Sequence, residues 1–269
     1  MTFEKPWRPK ESFSRTGRTG APGGSDKTGD FLFGVQAVTE ALRSGSRTFI
    51  KIFLSHRQRQ FSRIIRFAKV QGVPLQVQPR ERLDRLVPSA NHQGVVALVA
   101  AKAYASEDEI LEYAAQQKEP GFFLALDGVE DPQNFGAVLR TAATAGIHGV
   151  FIPDRRSVGL TASVAKASAG AVEHVRVARC VNIAKLIDRL QDRGVTTVAL
   201  EPRSPRLYTE LNFTGPVLLV FGGEGRGLRS RIVERCHVHA RIPMRGEVNS
   251  LNVSASVAVV AYEAVRQRM

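Results

Sequence analysis

Ile242-Pro-Met-Arg-Gly-Glu-Val-Asn-Ser250-Leu-Asn252-Val-Ser254 runs directly into an apolar stretch that closes the chain at Met269. A turn rich in amides and hydroxyls therefore sits between a short strand and a final helix. Gly246 and the Asn and Ser side chains of the turn offer hydrogen bonds to something polar. The helix that follows, read over 253–265, is apolar almost all round, which marks it as buried rather than surface-lying. A buried terminal helix entered through a binding-type loop implies that the end of the chain helps to build an active site.

Working back from that turn, the last 150 residues alternate between strand and helix patterns. Strands are expected at 122–126, 149–152, 195–200, 217–221 and 238–242. Helices are expected at 132–145, near 161–172, at 183–193 and at 228–236. This is the pattern of an α/β domain with a largely parallel sheet. Three polar clusters interrupt it just beyond strands, where open α/β sheets place their ligands. The first is Asp131-Pro-Gln-Asn134-Phe-Gly136-Ala-Val-Leu-Arg140-Thr-Ala142, in which Pro132 suits the first turn of a helix. The second is Phe221-Gly-Gly-Glu224-Gly-Arg226-Gly227-Leu228, a tight glycine turn that lets a ligand approach the backbone. The third is the 242–254 turn itself.

Residues 31–102 read as a small αβαβαβ unit, a mixed sheet covered by helices. Before it, residues 1–30 are rich in Gly, Ser, Thr, Pro, Lys and Arg and read as a disordered basic tail. After it, 103–120 is an acidic linker with a short helix, and 121–269 is the larger domain. The net charge of +13 is unevenly spread. Residues 31–102 carry 12 Lys and Arg against 3 Asp and Glu, whereas 103–269 carry 20 against 18. Arg57, Arg59, Arg63, Arg66 and Lys69 concentrate the excess. A cluster with so few compensating carboxylates favours a polyanion, most simply nucleic acid.

Several classes fall away. No GxxxxGK[ST] is present, and Gly222 to Leu228 does not satisfy GxGxxG, so P-loop and dinucleotide readings lack support. Cys180 and Cys236 are the only cysteines, and no His/Cys cluster has metal-ligand spacing. With neither a membrane-length apolar run nor a signal-peptide pattern, a cytoplasmic, disulfide-free and metal-free protein is expected.

The three clusters, in this order and spacing, resemble the motifs of the SpoU/TrmH RNA 2′-O-ribose methyltransferases of the SPOUT class. The residues that carry the likeness are Asn134-x-Gly136-x-x-x-Arg140-x-Ala142, Phe221-Gly-x-Glu224-Gly-x-Gly227-Leu228 and Ile242-Pro-Met244-x-Gly246-x-x-x-Ser250-Leu-Asn-Val-Ser254. Residues 31–102, with Asn91-His-Gln-Gly94-Val-Val, are similar to the ribosomal-protein-like RNA-binding domain of the bacterial large-subunit rRNA guanosine methyltransferases. Gly223, where other small residues are common, and Ser256, where Ala is usual, depart from the pattern without removing a functional group.

The resemblance implies a deep trefoil knot through which the terminal helix is threaded, a topology that general rules of chain connection would have excluded. It also implies a homodimer and S-adenosyl-L-methionine as methyl donor, with no metal. The implied substrate is a guanosine ribose of large-subunit rRNA; a tRNA ribose methyltransferase and a catalytically silent ribosome-assembly protein are the alternatives. Arg140 becomes the candidate to stabilise the developing 2′-oxyanion, since a guanidinium is always protonated and unsuited to be a base. Asn134 is expected to orient Arg140 or the ribose. Glu224 either shapes the site or caps its own turn, and Ser250 and Asn252 hydrogen-bond substrate or hold the loop. Leu200, Gly222, Gly223, Gly225, Ile242, Met244, Ser250 and Leu251 are the candidates to hold the cofactor.

Overall fold

The computed structural model describes residues 29–56, 59–87, 91–225 and 227–269. Tail residues 1–28, Arg57, the Pro88 helix stop and Arg226 of the glycine turn lie outside them.

The first unit runs β1 (Asp30–Phe33), α1 (Val35–Ser44), β2 (Phe49–Leu54), α2 (Ser62–Val70), β3 (Leu75–Val77), α3 (Arg80–Leu86) and β4 (Val95–Val99). Its sheet has the order β1-β4-β2-β3, with only β2 and β3 parallel. The leading strand β1 is absent from the sequence reading. It is four residues long and opens on Asp30, so it offers little alternation to detect. Gly45 ends α1 in the left-handed conformation that glycine adopts without strain. In the 91–94 segment, His92 is fully buried and accepts from Gly94 N at 3.0 Å through Nδ1, while Nε2 lies 2.9 Å from Asp84. Gln93 Oε1 accepts from Val35 N, tying the segment to the start of α1.

The second unit contains α4 (Glu107–Ala115), β5 (Phe122–Asp127), α5 (Pro132–Thr144), β6 (Gly149–Pro153), α6 (Ala162–Ala167) and β7 (Val177–Cys180). It continues through α7 (Ile183–Asp192), β8 (Thr196–Leu200), β9 (Val217–Gly222), α8 (Ser230–Val233), β10 (Val238–Ala240) and α9 (Val253–Arg268). All strand pairings in the order β10-β8-β9-β5-β6-β7 are parallel. Phe122, Leu124 and Leu126 of β5 face one layer with α5 and α9, while Phe123 and Ala125 face the other with α4 and α7. A central strand covered on both faces reads as an unbroken apolar run.

Four local expectations change. Strand β7, with Arg179 pointing outward, was not foreseen because it is a short edge strand behind a helical turn. The helix expected near 161–172 stops at Ala167, since Gly170 adopts φ +84° before a 3-10 turn at Ala171–His174. The helix expected over 228–236 shortens to Ser230–Val233. Finally, α9 runs on to Arg268 and is not buried all round. Val253, Val257, Val260, Ala261 and Ala264 are buried, whereas Val259 and Tyr262 remain exposed.

The acidic 103–119 segment holds α4, opened by a capping box between Ser106 and Glu109. Its Ile110, Leu111 and Ala114 pack into one layer of the large sheet. Both cysteines are buried free thiols, and burial pushes each up to about 12.

The two units share one continuous core, in which Leu32 and Val38 join Val164 and Val172. A buried ion cluster reinforces the junction. Glu173 takes Arg47 Nε at 2.9 Å and Ser46 Oγ at 2.5 Å, with Lys102 Nζ 3.7 Å away.

Candidate active site

The site forms where β5, β9 and the start of α9 converge. Asp131 caps α5 by accepting from Asn134 N at 2.8 Å, and Pro132 follows where a missing N–H costs nothing. Gly136 is demanded by packing: a Cβ there would lie 2.4 Å from Ala167 Cβ of α6. The glycine turn after β9 is equally crowded. A Cβ on Gly222 would sit 2.1 Å from Gly227 C, and one on Gly223 would sit 1.9 Å from Gly128 O. Gly223, the departure from the usual pattern, thus fits a backbone contact of this chain.

These elements bring one residue from each motif into a single hydrogen-bonded group. Asn134 Nδ2 donates to Glu224 Oε1 at 2.7 Å, and Asn252 Nδ2 donates to Glu224 Oε1 at 2.6 Å and to Asn134 Oδ1 at 2.8 Å. Asn252 Oδ1 accepts from Ser254 N at 2.8 Å and so caps α9. The amide orientations are fixed at both ends, because a carboxylate can only accept and a helix N–H can only donate. Oε2 of Glu224 has no partner among the described residues and remains open to a donor.

Arg140 stands apart from this group. Its guanidinium is exposed and has no hydrogen bond or ion pair among the described residues. It lines a shallow hollow of about 400 Å³ with Ala137, Thr144 and Ser254. Ser254 Oγ donates to Asn252 Oδ1 at 2.6 Å, so the hollow adjoins the cluster across the first turn of α9. Asn134 bonds Glu224 and Asn252, and no side-chain bond joins it to Arg140.

Leu200, Gly222 and Ile242 lie at the carboxyl ends of the adjacent strands β8, β9 and β10 or just beyond them. Leu200 and Ile242 are half-buried against the core. Gly225 has φ +80° with open space around it. Met244, Ser250 and Leu251 belong to the 242–251 loop, whose backbone N–H and C=O groups pair with nothing among the described residues. Ser250 is exposed and does not enter the cluster.

The sequence reading overlooked Asp127 and Arg229. Asp127 is buried and receives Arg229 Nη2 at 2.6 Å and Nε at 2.9 Å, and its carbonyl accepts from Gly223 N at 2.7 Å. The hydrogen bond to Asp127 holds the Arg229 guanidinium above its ordinary pKa. The pair fastens the far side of the glycine turn to β5. A charged residue closing the otherwise apolar β5 was the available signal.

Residues 121–262 match the SpoU rRNA Methylase family, and residues 31–105 match the RNA 2′-O ribose methyltransferase substrate-binding family. The chain belongs to the SpoU methylase family. It is 40% identical over 241 residues to YacO of Bacillus subtilis strain 168, assigned to the TrmH family of tRNA/rRNA methyltransferases, covering 89% of this chain and 96% of that protein. A Staphylococcus aureus (strain MSSA476) protein assigned to the same family is 41% identical over 239 residues, covering 88% and 96%. Among solved structures, an RNA 2′-O ribose methyltransferase superposes with a TM-score of 0.72 at 27% identity, covering 88% of each chain. The SpoU methyltransferase AviRb from Streptomyces viridochromogenes has the same fold, with a TM-score of 0.75 at 21% identity over 90% of each chain. The RNA-modifying SpoU methyltransferase class expected from the motifs is therefore the right one.

Among the described residues no group of His, Cys, Asp and Glu could hold a metal ion, and no helix is long and apolar enough to cross a membrane.

Proposed function

We propose that the chain transfers a methyl group from S-adenosyl-L-methionine to the 2′-hydroxyl of a guanosine ribose in large-subunit rRNA. The observation that carries this reading is the Asn134–Glu224–Asn252 cluster, which unites the three motifs, with Arg140 in the adjoining hollow and unpartnered among the described residues. The residues expected to hold the cofactor fit it. The 242–251 loop offers backbone donors and acceptors, unpaired among the described residues, of the kind an adenine edge requires, flanked by Leu200, Ile242 and Leu251. Gly222, Gly223 and Gly225 allow close approach of the backbone. When bound, the cofactor supplies an electrophilic methyl group with a good leaving group.

The chain's own work lies on the hydroxyl. Glu224 Oε2 can accept a hydrogen bond from the ribose 2′-hydroxyl and orient it, while Asn134 and Asn252 hold the carboxylate still; the proton that the methyl group replaces leaves to water or to a phosphate of the substrate. Arg140 stabilises the oxygen as it gains negative charge, through the planar fork of its guanidinium. RNA is held by the first unit. Ile64 and Ala68 of α2 face inward, leaving Arg59, Arg63, Arg66 and Lys69 exposed along the outside, with Arg80, Arg82 and Arg85 on α3. None of these cations is in an ion pair among the described residues.

The knot and the homodimer belong to the same reading. The packing of α9 against α5 and β9, in the middle of the strand order, supports a threaded terminal helix. Ala255, Val259 and Tyr262 recur along its exposed side, an apolar stripe suited to a second copy. Sedimentation at micromolar concentration is expected to show a dimer, and a stable monomer would remove this part of the proposal. Calorimetry on the full chain should give the same S-adenosylmethionine affinity with and without a chelator. Methyl-labelling of RNA from a deletion strain, followed by ribose-methylation mapping, tests the activity. Finding no methylated ribose would overturn it.

A further inference from the structure

A larger cleft, of about 1050 Å³, has Asn134, Glu224 and Val253 in its wall and no residue of the 242–251 loop among its lining. That volume is at the upper end for sites that enclose a small molecule. It is lined beyond the cluster by the turn that follows β6, Asp154-Arg155-Arg156. Of the cleft's charged groups, Asp127 and Arg229 neutralise each other and Asp131 caps α5. The side chains of Asp154, Arg155 and Arg156 have no hydrogen-bond or ion-pair partner among the described residues.

The turn that carries these three is nonetheless firmly held. Asp154 N donates to Cys180 O at 3.1 Å, Ser157 Oγ to Pro153 O at 2.5 Å, and Val158 N to Val129 O at 3.1 Å. Arg156 is in the left-handed region at φ +59°, a conformation that side chains other than Gly, Asn and Asp seldom adopt without a reason. Val181 stands at the lip, 90% exposed, as an apolar surface beside the charged turn.

We propose that this cleft receives the target nucleobase and reads guanine, with Arg155 and Arg156 on the O6/N7 edge and Asp154 on N1–H and N2–H₂. The inference rests on the 2′-O-methyltransferase reading and adds to it the groups that choose the nucleotide. Guanine pairs two neighbouring acceptors with donors on the adjoining edge, which matches two guanidiniums beside a carboxylate. Adenine places a donor where the arginines require an acceptor, and a pyrimidine has no N7. A base standing here is unstacked from its neighbours, as chemistry on a single nucleotide of a folded RNA requires. Its ribose then lies toward Glu224 and Asn134 in the wall of the cleft.

The test uses full-length protein and RNA from a deletion strain. The modified nucleotide is mapped first, and a fragment carrying guanosine or inosine at that position is then methylated. The mapped residue should be guanosine. Arg155→Ala/Arg156→Ala should lower kcat/KM for RNA by about 10-fold to 100-fold, the scale of one bidentate base contact, without changing S-adenosylmethionine affinity or Tm. Inosine lacks the N2 amine, so unmodified protein should prefer guanosine by about tenfold, again one hydrogen-bonded contact. Asp154→Ala, which removes the acceptor, should bring that preference close to unity, whereas Glu130→Gln, at the other carboxylate of the cleft wall without a partner among the described residues, should leave it intact. A pyrimidine or adenosine target, an unaltered guanosine preference in Asp154→Ala, or a double variant with undiminished kcat/KM would overturn the inference while leaving the methyltransferase reading standing. Ribose methylation absent with unmodified protein would instead strike the reading beneath it.

Discussion

Arg140→Ala is expected to slow methyl transfer by about 10²–10³, the usual effect of deleting one donor to a developing oxyanion, while cofactor affinity stays nearly unchanged. The position of the residue motivates both halves of this expectation. Arg140 is on α5, facing the hollow beside Ser254, whereas the loop expected to hold the cofactor follows β10 on the other side of the Asn252 cap. Its guanidinium is exposed and unpartnered among the described residues, so removing it breaks no ion pair and should leave Tm unchanged. A loss of activity therefore cannot be assigned to unfolding. Because the proposed partner carries full charge only in the transition state, the effect should fall on kcat. Arg140→Lys should restore little, since an ammonium is a point charge without the planar fork. Single-turnover methylation of the mapped RNA at saturating cofactor decides the matter. Near-normal turnover, or failure mainly through loss of S-adenosylmethionine, would overturn this assignment and bring Glu224 and Ser250 forward as the residues that act on the ribose.

The sequence revealed the site through its motifs more clearly than through any single residue. The pairs among Asn134, Glu224 and Asn252 are 90, 118 and 28 positions apart, yet the three meet within one hydrogen bond of each other. Motif order on a parallel sheet is what made that meeting readable, because the carboxyl ends of such strands face one way. The side-chain partners were not readable. Asn134 and Arg140 share a helix, but six residues of α-helix carry them to different faces, and Asn134 turns to Glu224 instead. Asp127–Arg229 escaped notice because it joins residues 102 positions apart and neither lies in an expected ligand position.

Fold legibility followed burial. Strands covered on both faces, such as β5 and β9, appear as unbroken apolar runs, while the edge elements β1 and β7 are too short to show a period. The terminal helix shows the same limit from the other direction. Composition marks it as apolar, but composition does not separate the face packed on α5 from the face left exposed. The junction between the two units was also invisible. Glu173 lies in a stretch that looked like the end of a helix, and its partners Ser46 and Arg47 are more than 120 positions earlier.

Glu173→Ala should cost about 3–5 kcal/mol of stability, the expected result of removing one partner from a buried ion pair. The carboxylate is fully buried and the Arg47 side chain is 2% exposed. Nε reaches Oε1 at 2.9 Å and Oε2 at 3.1 Å, while Nη2 lies 2.9 Å from Oε1 without an aligned hydrogen bond. Lys102 adds a second cation, and its pKa is already lowered by burial. Taking away Glu173 leaves Arg47 in a low-dielectric junction with no counter-charge and Ser46 with no acceptor. Replacing the whole pair, as Arg47→Met with Glu173→Leu, should cost far less, because desolvation of both charges disappears along with their attraction. Urea unfolding of the single and double variants measures this difference directly. The cluster also sets where the basic α2 surface stands relative to Arg140, since the 3-10 turn bearing Glu173 packs on α5. Glu173→Ala protein kept folded at low temperature should thus show a raised KM for RNA and an unchanged affinity for S-adenosylmethionine. If the single variant lost less than about 1 kcal/mol, the scale of an exposed pair, the junction would be held by its apolar core alone and the cluster would have no part in placing the RNA.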